Sequence, residues 1–315
     1  MAGLFQVFFW LSRDNLVTLN ENSFEKIESL SYSPFEGYDK NLLSSEQIAY
    51  DVNLFENFTN KLRTYGTLEA YKILQSSKDS NLPIDLGLWI GGDLEANNLE
   101  IQRALEILKE YPNRIQSVIV GNEVLLRKEL EPLELYAYID FMKSHTKKPV
   151  TTAETWDIWE KNPQLASHVD FLTIHILPYW EKVPIERYNE FIIEKYSVVE
   201  ELFPNRKIVI GETGWPSHGY NNNSAIPSIK NQAQAIRGFV NLAHEKGWHY
   251  NIIEALDQPW KGYDEGNVGQ YWGIFSSNRS LKFSLSGDIE LNQYWLYQMI
   301  AAIIIGALLT LYGLR

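Results

Sequence analysis

The chain reads Lys-Ile-Val-Ile-Gly-Glu-Thr-Gly-Trp-Pro-Ser-His from Lys207 to His218. The first four residues are typical of a short buried strand, which should end at Gly211. Glu212 follows directly, and glycines on both sides of it let the backbone turn sharply. The Trp-Pro pair that comes next predicts a rigid aromatic surface beside the carboxylate. A carboxylate in this setting indicates a catalyst more than a surface charge.

A second apolar strand ends in the same way. The chain reads Ser-Val-Ile-Val-Gly-Asn-Glu from Ser117 to Glu123. Two predicted strands thus each deliver a glutamate at their carboxyl end. Cleavage of a glycosidic bond usually requires two carboxyl groups, one to protonate the leaving oxygen and one to attack or stabilise the sugar.

Apolar strand patterns alternate with amphipathic helix patterns along the middle of the chain. The predicted strands are residues 29–33, 62–65, 84–90, 117–120, 150–154, 171–177, 207–210 and 251–256, and the predicted helices include 99–110, 132–147, 185–202 and 228–246. Such repeated units form either an open doubly wound sheet or a closed (β/α)₈ barrel. The first strand is not followed by a phosphate-binding glycine loop, so the α/β class with a (β/α)₈ TIM barrel is favoured.

Aromatic residues collect after these strands, at the barrel face where catalysis takes place. Seven of the ten tryptophans follow predicted strands, namely Trp89, Trp156, Trp159, Trp180, Trp215, Trp260 and Trp272. Indole rings stack on the apolar faces of pyranose rings, and neighbouring polar groups bind the hydroxyls. Simple core packing explains any one of them equally well, but the set as a whole favours a sugar-binding groove.

Composition excludes several other classes of function. The formal net charge is −12, which argues against nucleic acid as a partner and suits a neutral polymer. The chain has no cysteine and only six scattered histidines. Disulfides and a thiol nucleophile are therefore excluded, and neither a metal ion nor another cofactor is expected.

Both chain ends differ from the middle. Residues 291–314 carry no charge and are long enough to cross a bilayer, with aromatic residues at the edges of the apolar run. We therefore expect a (β/α)₈ barrel over residues 29–290 and a C-terminal transmembrane helix over 291–315. The alternative is that this helix closes the barrel, although an outer barrel helix should keep a polar stripe. Residues 1–28 form an N-terminal segment that could be a weak or truncated signal or anchor.

The two glutamate motifs make residues 30–275 resemble glycoside hydrolase family 17. This is the β-1,3-glucanase family in the clan of (β/α)₈ retaining glycosidases. Four further motifs make the chain most similar to bacterial membrane-associated members regarded as β-glucan transglycosylases. They read Leu-Arg-Thr-Tyr from Leu62, His-Ile-Leu-Pro-Tyr-Trp from His175, Glu-Ala-Leu-Asp-Gln-Pro-Trp-Lys from Glu254 and Tyr-Trp-Gly from Tyr271. The resemblance implies that Glu123 is the acid/base and Glu212 the nucleophile.

Other residues at the strand ends are expected to support these two. Arg63 could hold Glu212 ionised by its charge, or form a salt bridge inside the barrel mouth. Asn122 could bind the sugar 2-hydroxyl, and Glu154 and Glu254 could accept substrate hydroxyls or pair with Arg63. The remaining candidates for substrate binding are Tyr65, Trp156, Tyr179, Trp180, Trp215 and Trp260.

One motif departs from the plant members of the family. Their tyrosine after strand six, which is expected to touch the nucleophile, is replaced here by Leu177. The missing hydrogen bond could come from His175 or Tyr179. His175 is therefore predicted to be functional, with an ordinary core histidine as the alternative.

The predicted activity is that of a retaining enzyme acting on β-1,3-glucan, as a transglycosylase that elongates or branches the chain with β-1,3 or β-1,6 linkages. A hydrolytic endo-β-1,3-glucanase is the alternative with the same chemistry. A non-catalytic glucan-binding protein, or a membrane scaffold of a polysaccharide synthase, is the alternative from another class. The expected partners are β-glucan and, through the C-terminal helix, membrane lipid, with the catalytic domain on the periplasmic or extracytoplasmic side.

Overall fold

The computed structural model describes residues 16–17, 26–290 and 295–313. Eight parallel strands close into a barrel in chain order, as the sequence predicts. The barrel strands are β1 (Leu30–Ser31), β2 (Leu62–Arg63), β3 (Ile84–Leu88), β4 (Ile115–Asn122), β5 (Val150–Thr155), β6 (Leu172–His175), β7 (Ile208–Thr213) and β8 (His249–Ile252).

Helices follow the strands and cover the outside of the barrel. They are α1 (Ser45–Phe55), α2 (Thr67–Ser76), α3 (Leu94–Glu110), α4 (Pro132–His145), α5 (Trp156–Lys161), α6 (Tyr188–Leu202) and α7 (Ile229–Lys246). Side-chain caps begin several of them, and Ser228, for example, accepts a hydrogen bond from the Asn231 amide at the start of α7. The connection after β8 contains two short 3₁₀ turns, Pro259–Gly262 and Gly269–Tyr271.

The core lies between the strands and the inner faces of these helices. Strand β3 is buried at all five positions, as expected for a parallel strand covered on both sides. Because all eight strands run the same way, their carboxyl ends open at one mouth of the barrel. Everything that the sequence predicts to be catalytic lies at that mouth.

The two strands that carry the predicted catalytic glutamates are irregular near their ends. The pairing register shifts between Ile119 and Asn122 on β4, and between Ile210 and Glu212 on β7. Such bulges re-aim side chains at the rims of barrels. They turn the two glutamates toward the centre of the mouth.

The C-terminal segment forms a helix, as the sequence predicts, but not a transmembrane one. The helix α8 (Trp295–Gly313) forms within the predicted C-terminal segment, and its side chains from 296 to 312 are exposed or half-exposed. It therefore does not close the barrel as a buried outer helix. In the parts of the chain that the structure describes, no helix is both long and apolar enough to cross a membrane, so the predicted transmembrane helix is not found there.

The predicted N-terminal segment lies mostly outside the described residues, as do residues 291–294 and 314–315. Its described strand, Leu16–Val17, pairs antiparallel with Ile289–Glu290. This contact joins the segment to the end of the predicted barrel region.

Candidate active site

Glu123 and Glu212 meet at the barrel mouth, with His175 between them. The closest carboxylate and imidazole atoms of the three residues lie within 4.8 Å of one another. Glu123 follows β4 with φ +55°, a left-handed conformation that is unusual for a non-glycine residue and is often found at functional sites. Its side chain is 23% exposed, while that of Glu212 is 6% exposed. Both predicted catalytic carboxylates therefore share one site.

The guanidinium of Arg63, on β2, contacts Glu212 and the backbone and side chains beside it. Its Nη1 lies 3.4 Å from Glu212 Oε1, and it donates to the Gly211 carbonyl oxygen. Its Nη2 donates to Asn122 Oδ1 at 2.6 Å. Arg63 is 2% exposed, so it acts on the carboxylates by charge rather than as an open substrate contact. The predicted pairing of Arg63 with Glu212 is seen.

Three influences set the protonation of Glu123. Burial favours the neutral acid, but the hydrogen bond from His175 and the positive charges of Arg63 and Arg127 together outweigh it. The pKa of Glu123 is therefore held below its ordinary value. A carboxylate that ionises readily is suited to the base role in the second half of a retaining reaction.

A cavity of about 230 Å³ opens over the carboxylates. It is lined by Glu123, Leu126, Thr155, Trp156, His175, Leu177, Trp180, Glu181, Glu212, Ile253, Glu265 and Trp272. Trp156 donates through Nε1 to Glu181 at 3.3 Å, and Trp180 stacks on Trp272 with ring centroids 5.9 Å apart. Indole rings therefore form part of the groove wall, as the sequence predicts.

Two predicted sugar-binding aromatics are instead part of the core. Trp215 is fully buried and donates from its indole nitrogen to the Ile226 carbonyl oxygen at 3.1 Å. Tyr179 is also fully buried, packs against Trp215 and donates to the Tyr220 carbonyl oxygen. Their rings support the groove from behind, so the predicted contact with substrate is corrected for both.

Glu154 has a structural role that the sequence did not indicate. It is fully buried, and its two carboxylate oxygens accept the backbone amides of Leu125 and Leu126 at 2.8 and 3.3 Å. It thereby fixes the turn that follows Glu123. The predicted role as an acceptor of substrate hydroxyls is corrected, because both oxygens are already engaged.

Glu254 is buried beside Glu212 and pairs with Lys261 rather than with Arg63. Lys261 Nζ lies 2.5 Å from Glu254 Oε2, whereas Oε1 accepts no hydrogen bond from the described residues. Burial raises the pKa of Glu254 against the influence of Lys261. Glu265 belongs to the same acidic group, and burial raises its pKa to about 7. The site thus contains more carboxyl groups than a two-carboxylate reaction uses.

Tyr65 and Trp260 lie at the side of the mouth formed by β1, β2 and β8. Tyr65 donates to Ser31 Oγ at 3.0 Å and its ring faces the Arg63 guanidinium at 5.1 Å. Trp260 is half-buried, donates to Gln258, and carries Lys40 Nζ over its ring at 4.3 Å. Neither lines the cavity above the carboxylates, and their substrate contacts stay a prediction.

The sequence does not point to some of the residues that line the groove. Thr155 and Glu181 are direct neighbours of predicted tryptophans, and this adjacency was a usable signal. Ile253 lies within the predicted eighth strand, where nothing marked it for the groove, and Leu126 and Glu265 come from turns with no periodic pattern.

A divalent cation would have the right spacing of ligand atoms between Glu123, His175 and Glu212. Arg63 Nη1 already lies 3.4 Å from Glu212 and 3.3 Å from His175 Nε2. A second positive charge would be repelled there. The arrangement suits a pair of reacting carboxylates better than a metal site.

Comparison with known proteins agrees with this geometry. The family model of the BtgE/BtgC glycoside hydrolase domain matches residues 29–273. The chain belongs to this family of glycoside hydrolases. The predicted membership of glycoside hydrolase family 17 is confirmed, while the finer resemblance to bacterial members stays a prediction.

Relatives of this glycoside hydrolase domain cover most of its length. A glucan 1,3-beta-glucosidase of Schizosaccharomyces pombe is 27% identical over 260 residues, which is 76% of this chain and 80% of that protein. One of Saccharomyces cerevisiae is 25% identical over 276 residues, 78% of this chain and 87% of that protein. The structure of an active-site mutant of Rhizomucor miehei beta-1,3-glucanosyltransferase in complex with laminaritriose superposes with a TM-score of 0.74. It is 25% identical and covers 81% of this chain and 95% of that one.

Proposed function

We propose that the chain is a retaining β-glucan transglycosylase that cleaves β-1,3-glucan and transfers the released segment to a sugar acceptor. The separation of the two carboxylates carries the retaining part of this proposal. Oxygens of Glu123 and Glu212 lie within 4.8 Å. Retaining enzymes place their carboxyl groups about 5 to 5.5 Å apart, whereas inverting enzymes need about 6.5 to 9.5 Å to admit a water molecule.

In the first step Glu212 attacks the anomeric carbon and Glu123 protonates the leaving oxygen. Arg63 pairs with Glu212, with Nη1 3.4 Å from Oε1. Oε1 of Glu212 accepts no hydrogen bond from the part of the chain that the structure describes. This oxygen is buried and faces the Arg63 guanidinium. Asn122 accepts from Arg63 through Oδ1, which aims its amide nitrogen for a bond to the sugar 2-hydroxyl.

In the second step Glu123, now ionised, removes a proton from the acceptor as it displaces Glu212. Trp156 and Trp180 line the groove that contains both carboxylates. Aromatic rings there favour a sugar over water by stacking. Similarity to the Rhizomucor miehei glucanosyltransferase supports the same assignment.

Hydrolysis of β-1,3-glucan is the second candidate, because two similar yeast proteins are named glucan 1,3-beta-glucosidases. Incubation with a single laminari-oligosaccharide, followed by mass spectrometry and NMR of the products, separates the two. A transferase forms products longer than the substrate, and NMR identifies each new linkage as β-1,3 or β-1,6. A hydrolase forms only shorter products. A binding or scaffold protein leaves the substrate unchanged, which would overturn the proposal.

We further propose that α8 contacts membrane lipid and holds the barrel on the periplasmic or other extracytoplasmic side. The described side chains of this helix are largely apolar and exposed, including Ile304, Ile305, Leu308 and Leu309. The free energy of the protein falls when a lipid surface covers such exposed apolar side chains. Fractionation of the full chain, compared with a chain that ends at Glu290, tests this proposal.

A further inference from the structure

His175 contacts both catalytic carboxylates. Its Nδ1 lies 2.7 Å from Glu123 Oε1, and its Nε2 lies 3.7 Å from Glu212 Oε1. The imidazole is fully buried. A residue in this place acts on the reaction through the carboxylates that it contacts.

Arg63 determines which nitrogen of His175 carries the hydrogen. A guanidinium can only donate, and Arg63 Nη1 lies 3.3 Å from His175 Nε2. Nε2 must therefore accept, which assigns the hydrogen of the neutral imidazole to Nδ1 from the hydrogen-bond network. Nδ1 then donates to Glu123 Oε1.

This direction of donation constrains the acid/base residue. Because Oε1 of Glu123 already accepts from His175, a proton on Glu123 has to sit on its other oxygen. On the basis of the proposed retaining reaction, we propose that His175 is a positioning residue: oriented by Arg63, it keeps Oε1 as an acceptor and leaves the catalytic proton on Oε2 for the leaving oxygen.

The packing around His175 keeps the ring in this orientation. His175 on β6 is the register partner of Glu212 on β7. A Cβ atom at Gly211 would lie 3.1 Å from Cδ2 and 3.2 Å from Nε2 of the imidazole. The glycine therefore leaves just enough room for the ring beside β7, and the ring cannot turn without a clash or a lost hydrogen bond.

Removal of His175 should change the protonation of Glu123 in a defined direction. The charged and titratable groups that face Glu123 are Arg63 from β2, Arg127 from its own loop, Glu154 from β5, His175 from β6, Glu212 from β7 and Glu265 from the loop after β8. Among them, His175 supplies the hydrogen bond that favours the ionised form. Without that bond the pKa of Glu123 rises, and the alkaline limb of kcat/KM, which reports loss of the acid, moves to higher pH.

The test compares His175→Gln with His175→Leu in the full chain acting on laminari-oligosaccharides. A glutamine can donate to Glu123 from its amide nitrogen and accept from Arg63 with its oxygen, whereas leucine can do neither. For the leucine variant we expect kcat to fall about 100-fold with little change in KM, and the alkaline limb to shift upward. The glutamine variant should keep the alkaline limb of the wild type and most of its kcat.

Two results would overturn the proposal. One is a leucine variant that folds and keeps both the kcat and the alkaline limb of the wild type. The other comes from the wild type itself, so it does not depend on the variants folding: ¹⁵N chemical shifts of the His175 ring that place the hydrogen on Nε2. That NMR measurement needs no substrate. Lack of activity on laminari-oligosaccharides would instead refute the proposed function.

Discussion

Two glycines beside the catalytic glutamates leave room that any other residue would fill. Gly121 precedes the Asn-Glu pair with φ +84°, and a Cβ atom there would lie 2.5 Å from Val124 Cγ2. At Gly211 a Cβ atom would lie 2.3 Å from Thr173 Cγ2, in addition to its approach to His175. Gly121 and Gly211 thus leave space for the side chains that pack around the two catalytic glutamates.

Gly211→Ala should reduce both stability and activity, because Thr173 and the His175 ring must move to admit the methyl group. Overpacking of this kind costs about 1 to 3 kcal/mol of unfolding free energy. Chemical denaturation measures the stability, and kcat on laminari-oligosaccharides measures the activity. Gly306→Ala in α8 is a control away from the site, since a Cβ atom there meets nothing within 4 Å and the backbone is not in the left-handed region. Full activity of Gly211→Ala would show that the position of His175 is not critical.

Glu123→Ala should lose most activity on natural substrates and regain it with azide. A small anion attacks the covalent intermediate without needing a base, and a retaining enzyme then releases a β-glycosyl azide. An aryl β-glycoside with a good leaving group is the substrate of choice, because it needs no acid in the first step. NMR of the product gives its anomeric configuration. An α-azide would contradict the retaining mechanism.

At the scale of elements, the sequence predicted the parts that follow from local pattern. All eight barrel strands are found near their predicted positions, because a short apolar run that alternates with helical patterns is a local signal. The burial of Trp215 could not be predicted in this way. Its ring packs against Tyr179 and Tyr188, and its partner Ile226 lies in a distant turn. An aromatic residue after a strand can face either the groove or a neighbouring loop, and only the packing of loops decides between them.

Helix α8 should be dispensable for the barrel. Its described side chains are exposed or half-exposed, and the strand pair that joins Leu16–Val17 to Ile289–Glu290 lies before it. A chain that ends at Glu290 should therefore keep its melting temperature within about 2 °C and its activity on short oligosaccharides. It should also leave the membrane fraction, if α8 contacts lipid as proposed. Unfolding of the truncated chain would show that α8 supports the barrel.

At the scale of the whole molecule, acidic groups are concentrated inside as well as on the surface. Burial raises the pKa of Glu69, Glu154 and Glu265 to about 7 each, against an ordinary value of 4.5. Between these pH values the unfolded chain has released protons that the folded chain still holds. The contribution of these groups to stability is complete below about pH 4.5 and is lost as the pH rises through about 7.

The melting temperature should accordingly fall as the pH rises from about 5 to about 8 at constant ionic strength. Glu154→Gln should flatten this dependence, because an amide of the same shape cannot ionise. Thermal scans of both proteins in one set of buffers make the comparison. A melting temperature that rises over this interval, or equal slopes for the two proteins, would contradict the predicted protonation of the buried carboxyls.

The central claim is that Glu212 forms a covalent bond to the sugar. A laminaribioside with fluorine in place of its 2-hydroxyl and a good leaving group should trap that intermediate, because the fluorine slows its breakdown. Mass spectrometry of the digested protein should find the added sugar on the peptide that contains Glu212, and Glu212→Gln, with turnover reduced about 10⁴-fold or more, should stay unlabelled. A label on another residue, or a wild type that turns over laminari-oligosaccharides yet is never labelled, would contradict the account.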